Sequence, residues 1–128
     1  MKHYTYIVFL LALVSCKTDY VFIDSFKGGV YDITNNKPIK GVVIQTDSLA
    51  INFFEPIKTK NDGSFYVDGM TVKSYKTYVV NRKNISFKLY FKSKYYSCHT
   101  IDLKSYNKDN RKLDVVKLGK IYLKPLNK

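Results

Sequence analysis

The sequence predicts an all-β domain, a small antiparallel β-sandwich of about seven strands. Three observations lead there. Short stretches rich in Val, Ile, Tyr and Phe alternate with turn residues along most of the chain, as they do in sandwiches and barrels. Residues 85–92 are apolar at every odd position and carry Ser86, Lys88, Tyr90 and Lys92 at the even ones. That period of two sets one face on a core and the other in water. Nothing in the chain reads as a helix of useful length.

Gly29-Val30-Tyr31-Asp32 and the stretch Gly41 to Thr46 read as strands flanking Thr34-Asn35-Asn36-Lys37-Pro38, a turn by composition. Pro38 has no amide hydrogen for a ladder and belongs at a turn or strand start. Residues 56–60 and 64–68 flank Asn61-Asp62-Gly63, a hairpin signal that supplies the positive φ a tight turn needs. Phe65 and Val67 then face inward, with Val42 and Ile44 as the opposing layer. Tyr75 to Val80 and His99 to Leu103 are further strands. The last runs from Leu113 to Lys124. Its apolar phase slips from Val116 and Leu118 to Ile121 and Leu123, so a β-bulge is expected at Gly119. The polar stretch 104–112 is expected to be a mobile loop.

The start of the chain is of another kind. Lys2 precedes an apolar run, residues 7–12, and then Leu13-Val14-Ser15-Cys16. A transmembrane span needs about 20 apolar residues, and Lys17 and Asp19 end this run far sooner. A charged start, an apolar stretch and a small residue form a secretory signal peptide. The cysteine directly after the small residue resembles the lipobox of bacterial lipoproteins; a plain signal peptide with a coincidental cysteine is the alternative. The resemblance implies that residues 1–15 are removed, that Cys16 is acylated (palmitate among the chains), and that 16–25 form a tether to a domain over 26–128. Two or more acyl chains anchor stably where one does not. Lys17 is not the Asp that retains lipoproteins at an inner membrane by analogy with enterobacterial sorting, so the expected address is the cell envelope, at the outer membrane.

Cleavage after Ser15 leaves 113 residues (128 minus 15) with net charge +11 (+12 minus Lys2). A field of that size favours anionic partners. The excess of Lys, Asn, Tyr and Ile over Arg and Trp also fits a low-GC compositional bias. Cys98 has no disulfide partner once Cys16 is acylated, and is expected to be a semi-buried strand residue.

The pieces Gly29-Val30-Tyr31-Asp32, Lys37-Pro38-Ile39-Lys40-Gly41-Val42-Val43-Ile44, Thr59-Lys60-Asn61-Asp62-Gly63-Ser64-Phe65 and Leu118-Gly119-Lys120-Ile121-Tyr122-Leu123 occur in this order. Together they resemble the carboxypeptidase regulatory-like domain. Leu89 to Tyr95 is similar to a further segment of that family, except that Lys94 stands where Gly is common. The resemblance implies a prealbumin/transthyretin-like sandwich, generally an accessory or binding module, met also in exported and outer-membrane proteins of Bacteroidota. It does not imply catalysis here. Zinc peptidase chemistry needs His and Glu ligands, and beyond Cys16 the chain holds one His, His99, and one Glu, Glu55. The C-terminal Tyr-Arg-Gly-Ser of the hydrolase relatives is absent from Lys124-Pro125-Leu126-Asn127-Lys128.

Other candidates are weak. Cys98 and His99 are adjacent on a strand and point to opposite faces. Asn61, Asp62 and Ser64 offer one carboxylate, where calcium wants several. No G-x-S-x-G nucleophile motif occurs. No metal or cofactor is expected. What remains is Tyr interleaved with Lys: Tyr66, Tyr90, Lys92, Lys94, Tyr95 and Tyr96 are candidate ligand-binding residues, with Tyr75, Lys76 and Tyr78 of the same kind. Exposed rings stack on sugars and lysines hold anions; ordinary strand composition accounts for the same residues. The expected function is a non-catalytic, lipid-anchored envelope domain acting as a binding or structural accessory module in a cell-envelope complex, with an envelope protein as partner. The alternative is an anionic glycan or lipid held by the Lys/Tyr faces. Nucleic acid does not suit an exported domain.

Overall fold

Alternating apolar side chains can leave water only by stacking one sheet on another, and the computed structural model, which describes residues 19–46, 57–83, 87–106 and 112–127, has that arrangement. Cys16, the leader before it, Glu55 and residues 107–111 of the polar loop lie outside the described residues, as do Pro56, Ile85 and Ser86 of the expected strands. The elements are β1 (Tyr20–Ile23), β2 (Ser25–Asp32), β3 (Val43–Thr46), β4 (Ile57–Lys58), β5 (Ser64–Val67), β6 (Met70–Val72), α1 (Tyr75–Arg82), β7 (Lys88–Ser93), β8 (Tyr96–Asp102), a 3-10 turn (Leu103–Ser105) and β9 (Val115–Leu123).

Strands β5-β2-β9 form one sheet and β4-β3-β7-β8 another, with β1-β6 as a two-stranded ribbon. Between the sheets lie Phe26, Val30, Val42, Ile44, Phe65, Val67, Leu89, Phe91, Ile121 and Leu123, all buried. Phe65 meets Phe91 edge-on across the core, with ring centroids 5.5 Å apart. The protein is a small all-β sandwich.

The expected bulge is present. In the β2–β9 ladder Lys27 faces Lys117 and Gly28 faces Gly119, so Leu118 is the extra residue, and Gly119 has φ +73. Ile121 and Leu123 thereby return to the core side. Several expectations are corrected. The sandwich is not wholly antiparallel, since β2 and β9 run parallel, and nine short strands replace about seven among the described residues. The described part of the expected tether, residues 20–25, is β1 and the start of β2, with Val21, Phe22 and Ile23 buried. Its apolar residues have a partner strand in β6, a long-range pairing that local composition does not reveal. Residues 104 and 105 of the polar stretch belong to the 3-10 turn, which Asp102 caps at the Lys104 amide (2.9 Å).

Tyr75 to Val80 is a helix rather than a strand. Ser74 caps it, its hydroxyl accepting from the Thr77 amide at 3.3 Å. Helical spacing puts Tyr75 and Tyr78 on one side, where they meet Tyr20 (5.4 and 5.7 Å) and Tyr78 stacks on Phe22 (5.3 Å). Ring packing on β1 overrides the β-propensity of Tyr, Thr and Val.

The turn at Asn61-Asp62-Gly63 forms, but its flanks do not make a hairpin. The Gly63 amide bonds the Lys60 carbonyl (3.0 Å), while β4 joins β3 in one sheet and β5 joins β2 in the other. The turn crosses between layers. Gly63 has φ +75, and a Cβ there would lie 2.6 Å from the Val30 carbonyl and 2.9 Å from Pro38 Cβ. Gly63→Val therefore combines left-handed strain with a backbone clash and should cost at least about 1–3 kcal/mol. A urea midpoint equal to that of the wild type would show that the turn relaxes freely.

Candidate functional site

The Tyr and Lys side chains proposed from sequence do not converge. Tyr66 alternates with inward Phe65 and Val67 on β5, so it stands on the outer face of the three-stranded sheet. Tyr90 and Lys92 alternate with Leu89 and Phe91 on β7 and stand on the outer face of the other sheet, on the far side of the core. Lys92 Nζ lies 5.7 Å from the Tyr90 ring. Lys94 and Tyr95 occupy the β7–β8 turn, with Lys94 Nζ 5.7 Å from the Tyr95 ring. These are two local cation–π pairs, apart from Tyr66.

Tyr96 is committed elsewhere. Its hydroxyl donates to Asp32 Oδ2 at 2.9 Å, tying β8 to the end of β2 across the two sheets. Asp32 Oδ1 accepts from the Thr34 amide (2.7 Å) and the Thr34 hydroxyl (2.5 Å). The same end is laced by the C-terminal segment: the Ser97 amide bonds the Lys124 carbonyl and the Leu126 amide bonds the Tyr95 carbonyl, both at 2.9 Å. Thr34, first through its hydroxyl and then its amide, holds the Asp32 carboxyl below its ordinary value of 3.8. Burial pushes the Tyr96 phenol above 10.0, and the bond to Asp32 and its charge add to the effect.

Most other interior polar groups are likewise occupied; Thr46 Oγ1 is the exception among the described residues, buried with no hydrogen-bond partner. Thr59 Oγ1 accepts from the Val42 amide (2.9 Å) and donates to the Ile39 carbonyl (2.6 Å), fixing the loop through Pro38 and Gly41. Asp24 Oδ1 accepts from the Asp114 amide at 3.0 Å, and Ser25 Oγ from the Gly69 amide at 2.9 Å. Asp62 caps its own turn through the Ser64 amide (2.9 Å) and hydroxyl (2.6 Å). The recess lined by Lys60, Asn61 and Asp62 is wide open to solvent. Cys98 is exposed rather than semi-buried, because β8 closes the edge of its sheet and only Leu103 beyond it turns fully inward. His99 is exposed as well.

One grouping escaped the sequence reading. Lys120 Nζ lies 5.0 Å from the Tyr31 ring, Tyr122 lies 6.2 Å from Tyr31, and the Tyr122 hydroxyl donates to Asn36 Oδ1 at 3.2 Å. With Tyr66 beside Lys27 on neighbouring strands, and Lys117 facing Lys27 from β9, the outer face of the β5-β2-β9 sheet carries three tyrosines and three lysines. Alternation of Lys120 and Tyr122 in the last strand was a usable signal, but the parallel partner β2 was not legible. No protein-family model matches the chain, and no curated protein matches it.

The Asp32–Tyr96 bond sets a pH window. Asp32 titrates lower folded than unfolded, so its contribution is full above 3.8 and is lost as pH falls through the folded value. Tyr96 titrates higher folded than unfolded, so its contribution is full below 10.0 and is lost as pH rises through the folded value. Tyr96→Phe should lower the urea midpoint at neutral pH and shrink the alkaline loss. An alkaline limb identical in both proteins would assign that loss to other tyrosines.

Proposed function

We propose that this chain is a bacterial lipoprotein, anchored through Cys16 at the cell envelope, whose carboxypeptidase regulatory-like sandwich is a non-catalytic module for a protein partner. The observation that carries the reading is the use of its interior polar groups. Asp24, Ser25, Asp32 and Thr59, the buried polar residues among those described, each hold a backbone amide, and Asp32 also a tyrosine. Groups so committed stiffen a scaffold; a reacting site keeps a donor, acceptor or nucleophile aimed at substrate. The motif residues Thr59, Asp62 and Gly63 have roles that depend on their identities, which supports the family reading. The apolar run and Leu13-Val14-Ser15-Cys16 support the anchor.

Anionic glycan is the second reading, favoured by the outer face bearing Lys27, Tyr31, Tyr66, Lys120 and Tyr122. Rings of that kind offer stacking surfaces and the lysines offer charge.

In cells fed an alkyne palmitate, the wild type should take up label and remain with membranes, while Cys16→Ser should do neither. Uptake by Cys16→Ser would overturn the anchor. Affinity capture from cross-linked cells then separates the two readings. At about 1 M salt the Debye length falls to roughly 3 Å, and contacts held by exposed charge let go. A single envelope protein retained through that wash supports the accessory module. Glycan alone, lost as salt rises, would replace it with the second reading.

A further inference from the structure

From the structure we infer that helix α1 is a membrane-docking face that lies on anionic lipid beside the anchor; this rests on the reading of Cys16 as acylated. The first ground is reach. Four residue steps separate Cys16 from Tyr20, and a chain spans at most about 3.6 Å per residue, so Tyr20 lies within about 14 Å of the anchored Cα. The Tyr20 ring packs directly on Tyr75 and Tyr78 of α1. The helix is therefore held close to the bilayer by covalent geometry and ring packing, with no long tether between them.

The second ground is what the helix displays. None of its residues is buried. Tyr75 is 63 % exposed, Val79 42 % and Val80 59 %, an apolar surface that the sandwich does not use. Residues 69–83 contain Lys73, Lys76, Arg82 and Lys83 and no Asp or Glu; Asp68 and Asp102 are the acidic residues that flank the stretch in sequence, and Asp19 precedes Tyr20. Arg82 sits over the Tyr78 ring at 5.4 Å. Tyrosine and valine flanked by lysine suit the headgroup boundary, where rings settle and cationic stems reach phosphate. Anionic lipid attracts such a cluster only within about a Debye length, roughly 8 Å at physiological salt, and the short link to Cys16 brings the cluster near enough to engage it.

The opposite end serves as an internal control. Strand β2 starts beside β1 and ends at Asp32, where Tyr96 and the β7–β8 turn gather. Its eight residues span roughly 23 Å at 3.3 Å per step. Lys94 and Tyr95 thus point away from the bilayer.

The full chain, expressed in a lipoprotein-processing host with Cys98→Ser, receives an environment-sensitive fluorophore at Val79→Cys or Tyr95→Cys. It is reconstituted on vesicles of phosphatidylcholine alone or with about a third phosphatidylglycerol, a composition that raises the negative surface potential. The fluorophore at position 79 should shift to the blue and lose quenching by aqueous acrylamide on the anionic vesicles, while position 95 stays quenched. Lys73→Glu with Lys76→Glu, both exposed, should reverse the shielding at 79. Intact mass reports acylation independently. An acylated chain with position 79 as accessible as 95 would overturn the docking face alone. An unacylated chain with 79 shielded would overturn the anchor and leave the docking face standing. Equal shielding on both vesicles would remove anionic lipid from the inference.

Discussion

The parallel pairing of β2 with β9 is the constraint on which the rest of the structure depends. It joins eight residue pairs from opposite ends of the described chain. It makes β2 the central strand of its sheet, and it places the C-terminal segment where it can reach β8. The pairing is possible with both faces correctly directed only because β9 carries one extra residue at Leu118, with Gly119 in a left-handed conformation. Without that slip either Val116 and Leu118 or Ile121 and Leu123 would face water, since a single-residue shift reverses every side chain. The bulge and the charges of Lys117 and Lys120 also blunt an edge strand that would otherwise be open to pairing.

Around that pairing the polar interior acts as a set of clamps between distant segments. Thr59 joins the loop before β3 to the turn before β5. Asp24 and Ser25 fix the bend between β1 and β2 to the start of β9 and to Gly69. Asp32 and Tyr96 close the far end. Cys98 is the only cysteine among the described residues and is free, and the freedom of the loops is limited there by hydrogen bonds whose unmaking would leave buried groups unpaired. On the proposed reading these committed groups serve a scaffold, and recognition falls to the outside of the molecule.

The outside has direction. One end carries the start of β1, the aromatic cluster of Tyr20, Phe22, Tyr75 and Tyr78, and the basic helix. The other carries Lys94, Tyr95 and the C-terminal strap. On the proposed reading the first end rests on the bilayer and the second points away from it, with the Lys/Tyr face of the β5-β2-β9 sheet along the side between them.

Much of this was legible in the residues. The alternation at 87–92, the Asp62-Gly63 turn and the phase slip at Gly119 are local patterns, and local sterics and solvent exposure fix their meaning in any fold. The sequence by itself thus determined the all-β class, the inward set Val42, Ile44, Phe65, Val67, Leu89 and Phe91, and the position of the bulge. Only the tertiary structure decided that 20–23 is a strand, that 75–82 is a helix, that the 61–63 turn crosses between sheets, and that Tyr66 is parted from Tyr90 and Lys92 by the whole core. Each of those depends on a partner far away in sequence: β6 for β1, the Tyr20 and Phe22 rings for α1, β2 and β3 for the two sides of the turn. Burial against such a partner outweighs intrinsic propensity, and a linear pattern does not name the partner.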